Sequence, residues 1–249
     1  MQRAIILFML AVSGGPLTAC GSGGGPSHST HPPSAGATGA SAGKPHSQAQ
    51  AVAFARAVNL TSLDLPGFTV SSARETETAQ EKRLQHSMLA CAGSGGSGKG
   101  FAAESSKNFE LKQQILDLGV SSEVSVADNP AAAAGELAAI RSSRVKGCFT
   151  RYLTQLFKGR QFGGGSVKGI SIASGTPPAP GTAGGFGWRV TVPLAVHNLR
   201  VAFYLDILGF VDRSARVTLF SSGALRPFPA AIQQQLFSLL LNRAKENTP

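Results

Sequence analysis

The clearest periodic signal in the chain is VKGCFTRYLTQLFKG, where Val145, Cys148, Phe149, Tyr152, Leu153, Leu156 and Phe157 recur at i, i+3, i+4 and i+7. That spacing lays one apolar stripe along a helix and turns Cys148 toward a core. Upstream, DNPAAAAGELAAI offers Asn129 as a cap and Pro130 at the first helical position, so a second helix begins there. ETETAQEKRLQHSMLAC carries acidic residues early and basic ones later, as the helix dipole favours, with Leu84, Met88 and Cys91 at helical spacing. The glycines from Gly93 to Gly100 stop that helix. An alanine-rich segment, 48 to 60, precedes the turn DLPGF at Asp64 to Phe68. The last helix opens at Pro229 with a stripe of Ile232, Leu236, Leu239 and Leu240, and ends in Arg243 and Lys245.

Other segments alternate with period two. VSSEVSVAD sets Val120, Ser122, Val124 and Val126 on one side and Ser121, Glu123 and Ser125 on the other, which predicts a strand with one buried face. Three more strands follow near the C-terminus: Trp188, Val190, Val192 and Leu194; then Leu199, Val201, Phe203, Leu205 and Ile207; then Val217 and Leu219. The short connections AVHN and GFVDRS make them an antiparallel meander. GISIAS reads as a further strand, and FELKQQILD is ambiguous. The order of elements predicts an α+β fold, an antiparallel sheet with helices packed on one face, forming a single domain over residues 49–249.

The N-terminus has a different character. Arg3, the apolar run from Ala4 to Val12 and the ending LTAC have the layout of a secretory signal peptide over residues 1–19, too short in its apolar part to span a bilayer. LTAC also resembles a lipobox, in which Cys20 receives a diacylglycerol and becomes the new N-terminus. Residues 20–48 are Gly, Ser, Pro, Ala and His without hydrophobic period, and predict a disordered tether with a typical span of roughly 30 Å. His28, His31 and His46 within it have no preset geometry for a metal. The expected address is extracytoplasmic, on the cell membrane through lipidated Cys20. In that oxidising setting the two remaining cysteines, Cys91 and Cys148, are most simply a disulfide. The alternative is two unpaired buried thiols.

CAGSGGSGKGF, residues 91–101, nearly matches a phosphate-binding loop. However, a helix comes before it where a strand is needed, and Gly100 stands where a hydroxyl must hold magnesium. A hydrolase needs a nucleophile, a base and an orienting acid. The domain offers His86 on a polar helix side and His197 in a turn, with Asp206 or Asp212 near His197 in sequence, and no G-x-S-x-G. Neither histidine has a partner at zinc-ligand spacing. We therefore expect no catalytic set, no metal and no cofactor.

Charge is unevenly spread. The chain is +10, and residues 141–249 hold 14 Lys and Arg against Asp206, Asp212 and Glu246 alone. Phasing each strand by its own apolar side puts Arg189, Arg200 and Arg216 on one sheet face with Tyr204 beside them. That would make a basic platform for an anionic envelope polymer, a lipid headgroup or an acidic protein, unless it is simply a solvated face. An exported address argues against nucleic acid.

The lipobox, the tether, DLPGF, the inward Cys148 and the closing PFPAAIQQQLFSLLLNRA resemble exported lipoproteins of actinobacterial type. In outline the domain is similar to the extracellular sensor domains of some bacterial Ser/Thr kinases and to PsbP/Mog1-like lipoproteins. The resemblance implies helices on an antiparallel sheet and a binding, scaffolding or signalling role without a catalytic set. The expected function is thus a lipid-anchored envelope protein with a non-catalytic ligand- or partner-binding domain. A lipid carrier with an internal acyl cavity is the alternative, and a secreted hydrolase a more distant one.

Overall fold

The computed structural model describes residues 47–71, 78–93, 102–113, 116–158, 161–162, 165–196 and 199–249. The expected signal peptide, Cys20, nearly all of the tether, the glycine-rich run after Gly93 and His197 lie outside the described residues. In chain order the elements are α1 (Gln48–Val58), a 3-10 turn (Ser62–Asp64), β1 (Thr69–Val70), α2 (Ala79–Ala92), β2 (Ala102–Ser105), β3 (Phe109–Gln113), β4 (Leu116–Val126), α3 (Pro130–Arg141) and α4 (Ser143–Phe157). There follow β5 (Gln161–Phe162), β6 (Gly165–Val167), β7 (Ser171–Gly175), β8 (Gly184–Val196), β9 (Leu199–Asp212), β10 (Ala215–Ala224) and α5 (Ala230–Glu246).

All ten described strands join one antiparallel sheet in the order β1-β3-β4-β10-β9-β8-β6-β5. β2 and β3 pair with successive stretches of β4, and β7 pairs with β8. The ambiguous FELKQQILD resolves into β3 and the start of β4, and the chain is α+β as expected.

The helices divide between both faces, where one covered face was expected. The reason lies in how the strands are phased against one another. On the first face, Phe186, Trp188, Val190, Val192 and Leu194 of β8 join Phe203, Leu205 and Ile207 of β9 beneath Met88 of α2, Leu137 of α3, and Phe149, Leu153 and Leu156 of α4. On the second face, Val120, Val124 and Val126 of β4 join Ala215, Val217 and Leu219 of β10 and Phe210 of β9. Phe54 and Val58 of α1 and Leu236, Phe237, Leu240 and Leu241 of α5 cover them. β9 supplies both layers because its C-terminal half, ILGFV, is apolar on either side.

The apolar area therefore crosses the sheet diagonally, at β8–β9 on one face and at β4–β10 on the other. This leaves two polar quadrants, Ser121, Glu123, Ser125, Arg216 and Thr218 on the first face, and Arg189, Thr191, Arg200 and Tyr204 on the second. The polar side of β4 is itself buried, so that strand has two buried faces. In α5 the buried face runs through Gln233, Leu236, Phe237, Leu240, Leu241 and Ala244, while Ile232 is exposed.

Local signals account for the helix ends. Asn129 accepts a hydrogen bond from the amide of Ala132 with Pro130 at the first position, and Thr78 and Glu81 form a reciprocal capping box on α2. Gly93 ends α2 in the left-handed conformation at φ 82°.

Candidate functional site

The residues expected to form a basic platform separate. Arg189 and Asp206 are cross-strand partners, and Arg189 Nε and Nη2 donate to the two carboxylate oxygens at 2.6 and 2.9 Å. The amide of Gln233, reaching down from α5, donates to Asp206 Oδ2 at 3.1 Å and to Ser221 Oγ at 2.6 Å. Asp206 is buried, so the fork-to-fork contact neutralises Arg189 and ties β8, β9 and α5 together. Arg200 is exposed and Tyr204 half-buried on the same face. Arg216 is a correction. It lies opposite Val211 of β9, on the other face from Arg189, because the apolar side of β10 is the second face while those of β8 and β9 are the first.

There Arg216 is enclosed between two carboxylates. Its Nη1 donates to Glu136 of α3 at 3.1 Å, and its Nη2 reaches Glu123 at 3.5 Å. Glu123 Oε2 is buried without a hydrogen-bond partner. Burial pushes the Glu123 carboxyl up from an ordinary 4.5 to about 7; Arg216 opposes the shift and the charge of Glu136 adds to it. The arrangement holds three ionisable groups between sheet and helix, and Glu123 titrates near neutrality.

A cleft of about 320 Å³ opens where the end of α3 meets the β7–β8 hairpin, lined by Arg141, Ser174, Gly175, Thr176, Phe186, Gly187 and Trp188. Glycine shapes one wall. A Cβ on Gly184, whose φ is 138°, would sit 2.6 Å from the Arg141 guanidinium, and the space left free admits that side chain. Arg141 Nε and Nη2 both donate to the carbonyl of Gly185, which fixes the guanidinium at the rim and leaves Nη1 out of that contact. Trp188 stacks on Phe149 of α4 with centroids 5.3 Å apart, so the indole is rigid where it meets the cleft. One fixed cation, two hydroxyl-bearing and two aromatic residues line the cleft, and none of its described lining residues carries a carboxylate. Such a set has the chemistry to hold an anionic group against an apolar body. Sequence reasoning missed this site because Arg141 and the hairpin are far apart in the chain; the one local signal was the glycine-spaced GFGW facing SGT.

Cys91 and Cys148 form a disulfide with Cα atoms 5.8 Å apart, joining α2 to α4. Arg144 of α4 donates from Nε to the Cys91 carbonyl at 2.8 Å beside it. Of the acids named for a hydrolase, Asp206 is held by Arg189 and Gln233, and Asp212 accepts from Arg213 at 3.0 Å. His86 is exposed on α2. Among the described residues no three His, Cys, Asp or Glu side chains converge as metal ligands, and no helix is long and apolar enough to cross a membrane.

No family model and no curated protein matches the chain. Among solved structures it is similar to the extracellular domain of PknH from Mycobacterium tuberculosis. The identity is 9%, the TM-score 0.42, and the match covers 82% of this chain and 99% of that one.

Proposed function

We propose that the chain is a cell-envelope protein, anchored outside the cytoplasm through a lipid on Cys20, whose domain binds a small anionic ligand in the Arg141–Trp188 cleft without transforming it. The observation that carries this reading is that Arg141, with its fixed guanidinium, Ser174, Thr176 and Trp188 line one cleft with no carboxylate among its described lining residues. The leader, the lipobox-like LTAC and the disulfide support the address. An acyl cavity finds no comparable support: the apolar quadrants on both faces are filled by the buried side chains of five helices.

Trp188 is the only tryptophan in the chain, so intrinsic fluorescence reports on the cleft directly. Titration with inorganic phosphate, octanoate and glucuronate should produce a saturable change for at least one probe, weakened about tenfold or more in Arg141→Gln and less in Arg141→Lys. Silence toward all three, or equal affinity in Arg141→Gln, would remove the cleft as the site. Cys20→Ala should move the protein out of membrane fractions, and unchanged fractionation would overturn the anchor.

A further inference from the structure

The inward stripe of α4 fills the core, and its opposite side is built from different chemistry. Arg144, Gly147, Arg151, Gln155 and Lys158 lie along the exposed side of this helix and its C-cap. The three cations are spaced seven residues apart, two turns, which sets them about 10.5 Å from one another in a row of about 21 Å. α4 contains no Asp or Glu. Arg144 is held by its bond to the Cys91 carbonyl, and the hydroxyl of Thr154 is turned back onto the carbonyl of Thr150 at 2.8 Å. Gly147 adds no side chain, and a Cβ there would meet nothing within 4 Å.

α2, joined to α4 by the disulfide, adds two more cations. Lys82 and Arg83 are exposed, while Glu81, the only carboxylate of that helix, is buried and accepts from the Thr78 amide at 2.8 Å. None of Arg144, Arg151, Lys158, Lys82 and Arg83 forms an ion pair with a described carboxylate. Among the described residues, the outer side of α4 thus carries a row of three cations that form no ion pair, and α2 adds exposed Lys82 and Arg83.

We propose that this α4–α2 face docks the domain flat against an anionic lipid bilayer. The choice of a bilayer rests on the reading of Cys20 as the anchor: a tether spanning roughly 30 Å keeps the domain within reach of the membrane surface, and each Lys or Arg brought to an anionic surface strengthens attachment about fivefold.

The test uses the full chain carrying Cys20→Ala, so that no lipid contributes, in sedimentation with phosphatidylcholine vesicles with and without phosphatidylglycerol. Binding should appear with phosphatidylglycerol and fall away at high salt. Arg151→Ser combined with Lys158→Ser should lower the partition roughly twentyfold. Arg200→Ser combined with Arg226→Ser, away from this face, should leave it within about twofold. Near-ultraviolet circular dichroism and a thiol count keep misfolding apart from lost docking, since Arg151 and Lys158 are both exposed. Equal sedimentation with the two vesicle types, or an unchanged partition in the α4 variant, overturns the proposal. So does capture by soluble dextran sulfate with no vesicle binding, which would assign the face to a polymer. Failure of the anchor is a separate result: it appears with Cys20 intact, as loss from membrane fractions regardless of lipid charge.

Discussion

Glu123 makes stability depend on pH in a way that a single substitution can isolate. Its carboxyl titrates at about 7 when folded and near its ordinary 4.5 when unfolded. Below 4.5 both states hold the proton and the residue contributes nothing. Between 4.5 and 7 the unfolded chain releases its proton while the folded chain keeps it, so stability falls as pH rises. Above 7 the folded chain carries the buried charge and the loss levels off. Integrated between pH 5 and pH 8, the difference is about 2–3 kcal/mol of stability lost by the parent. Glu123→Gln keeps the shape and an acceptor for Arg216, and leaves Glu136 to hold that guanidinium. Urea denaturation of parent and variant at the two pH values should therefore show the parent losing about 2–3 kcal/mol more than the variant. Other groups cancel in the difference. Asp64, although burial raises it, is held below its ordinary 3.8 by Arg243 and Thr61 and stays ionised across the window. Equal pH dependence in parent and variant, or a parent that gains stability toward pH 8 relative to the variant, would refute the argument that burial outweighs Arg216 at this carboxyl.

Two further perturbations test how the layers are held. Replacing Cys91 and Cys148 by serine, or reducing them, opens a bridge across a separation of 57 residues, and should cost about 2–4 kcal/mol in urea denaturation; a loss under about 0.5 kcal/mol would mean that α2 is held by packing alone. Gly209→Ala puts a methyl into the ring of Phe186 and the carbonyl of Val217, and should lower stability by about 1–3 kcal/mol. Because Phe186 also lines the cleft, the same variant should shift Trp188 emission, and wild-type stability and emission would contradict the packing described.

Where local chemistry decides the outcome, the sequence was enough. Asn129 with Pro130, the apolar series from Val145 to Phe157, the glycine stop after Cys91 and the strands of the meander each carry their own signal, and each forms as expected. The two inward cysteines follow from the same periodicity. β2 and β3 were not separable because four and five residues give too little alternation to distinguish strand from loop; they are stabilised by pairing in tandem along β4.

What alternation could not supply was the relation between strands. It sorts the residues of one strand into two sides, but the register of the neighbours decides which side meets which layer. Arg189 and Arg216 both alternate with apolar residues, yet their apolar neighbours look in opposite directions, toward α4 in one strand and α5 in the other. The polar side then fares differently in each. Beside Arg189 the second face keeps exposed Arg200 and takes a carboxylate from the adjacent strand. Above Arg216 a helix closes over the first face, and an arginine enclosed there requires carboxylates from both layers. Glu123 and Glu136 fill that role; burial is the main reason that Glu123 holds its proton near neutrality, and the charge of Glu136 adds to it. The diagonal core thus accounts both for the missing basic platform and for the titrating carboxyl. A chain with the same alternation but with β10 turned over would have placed Arg216 on the face of Arg189 and left Glu123 without its cation.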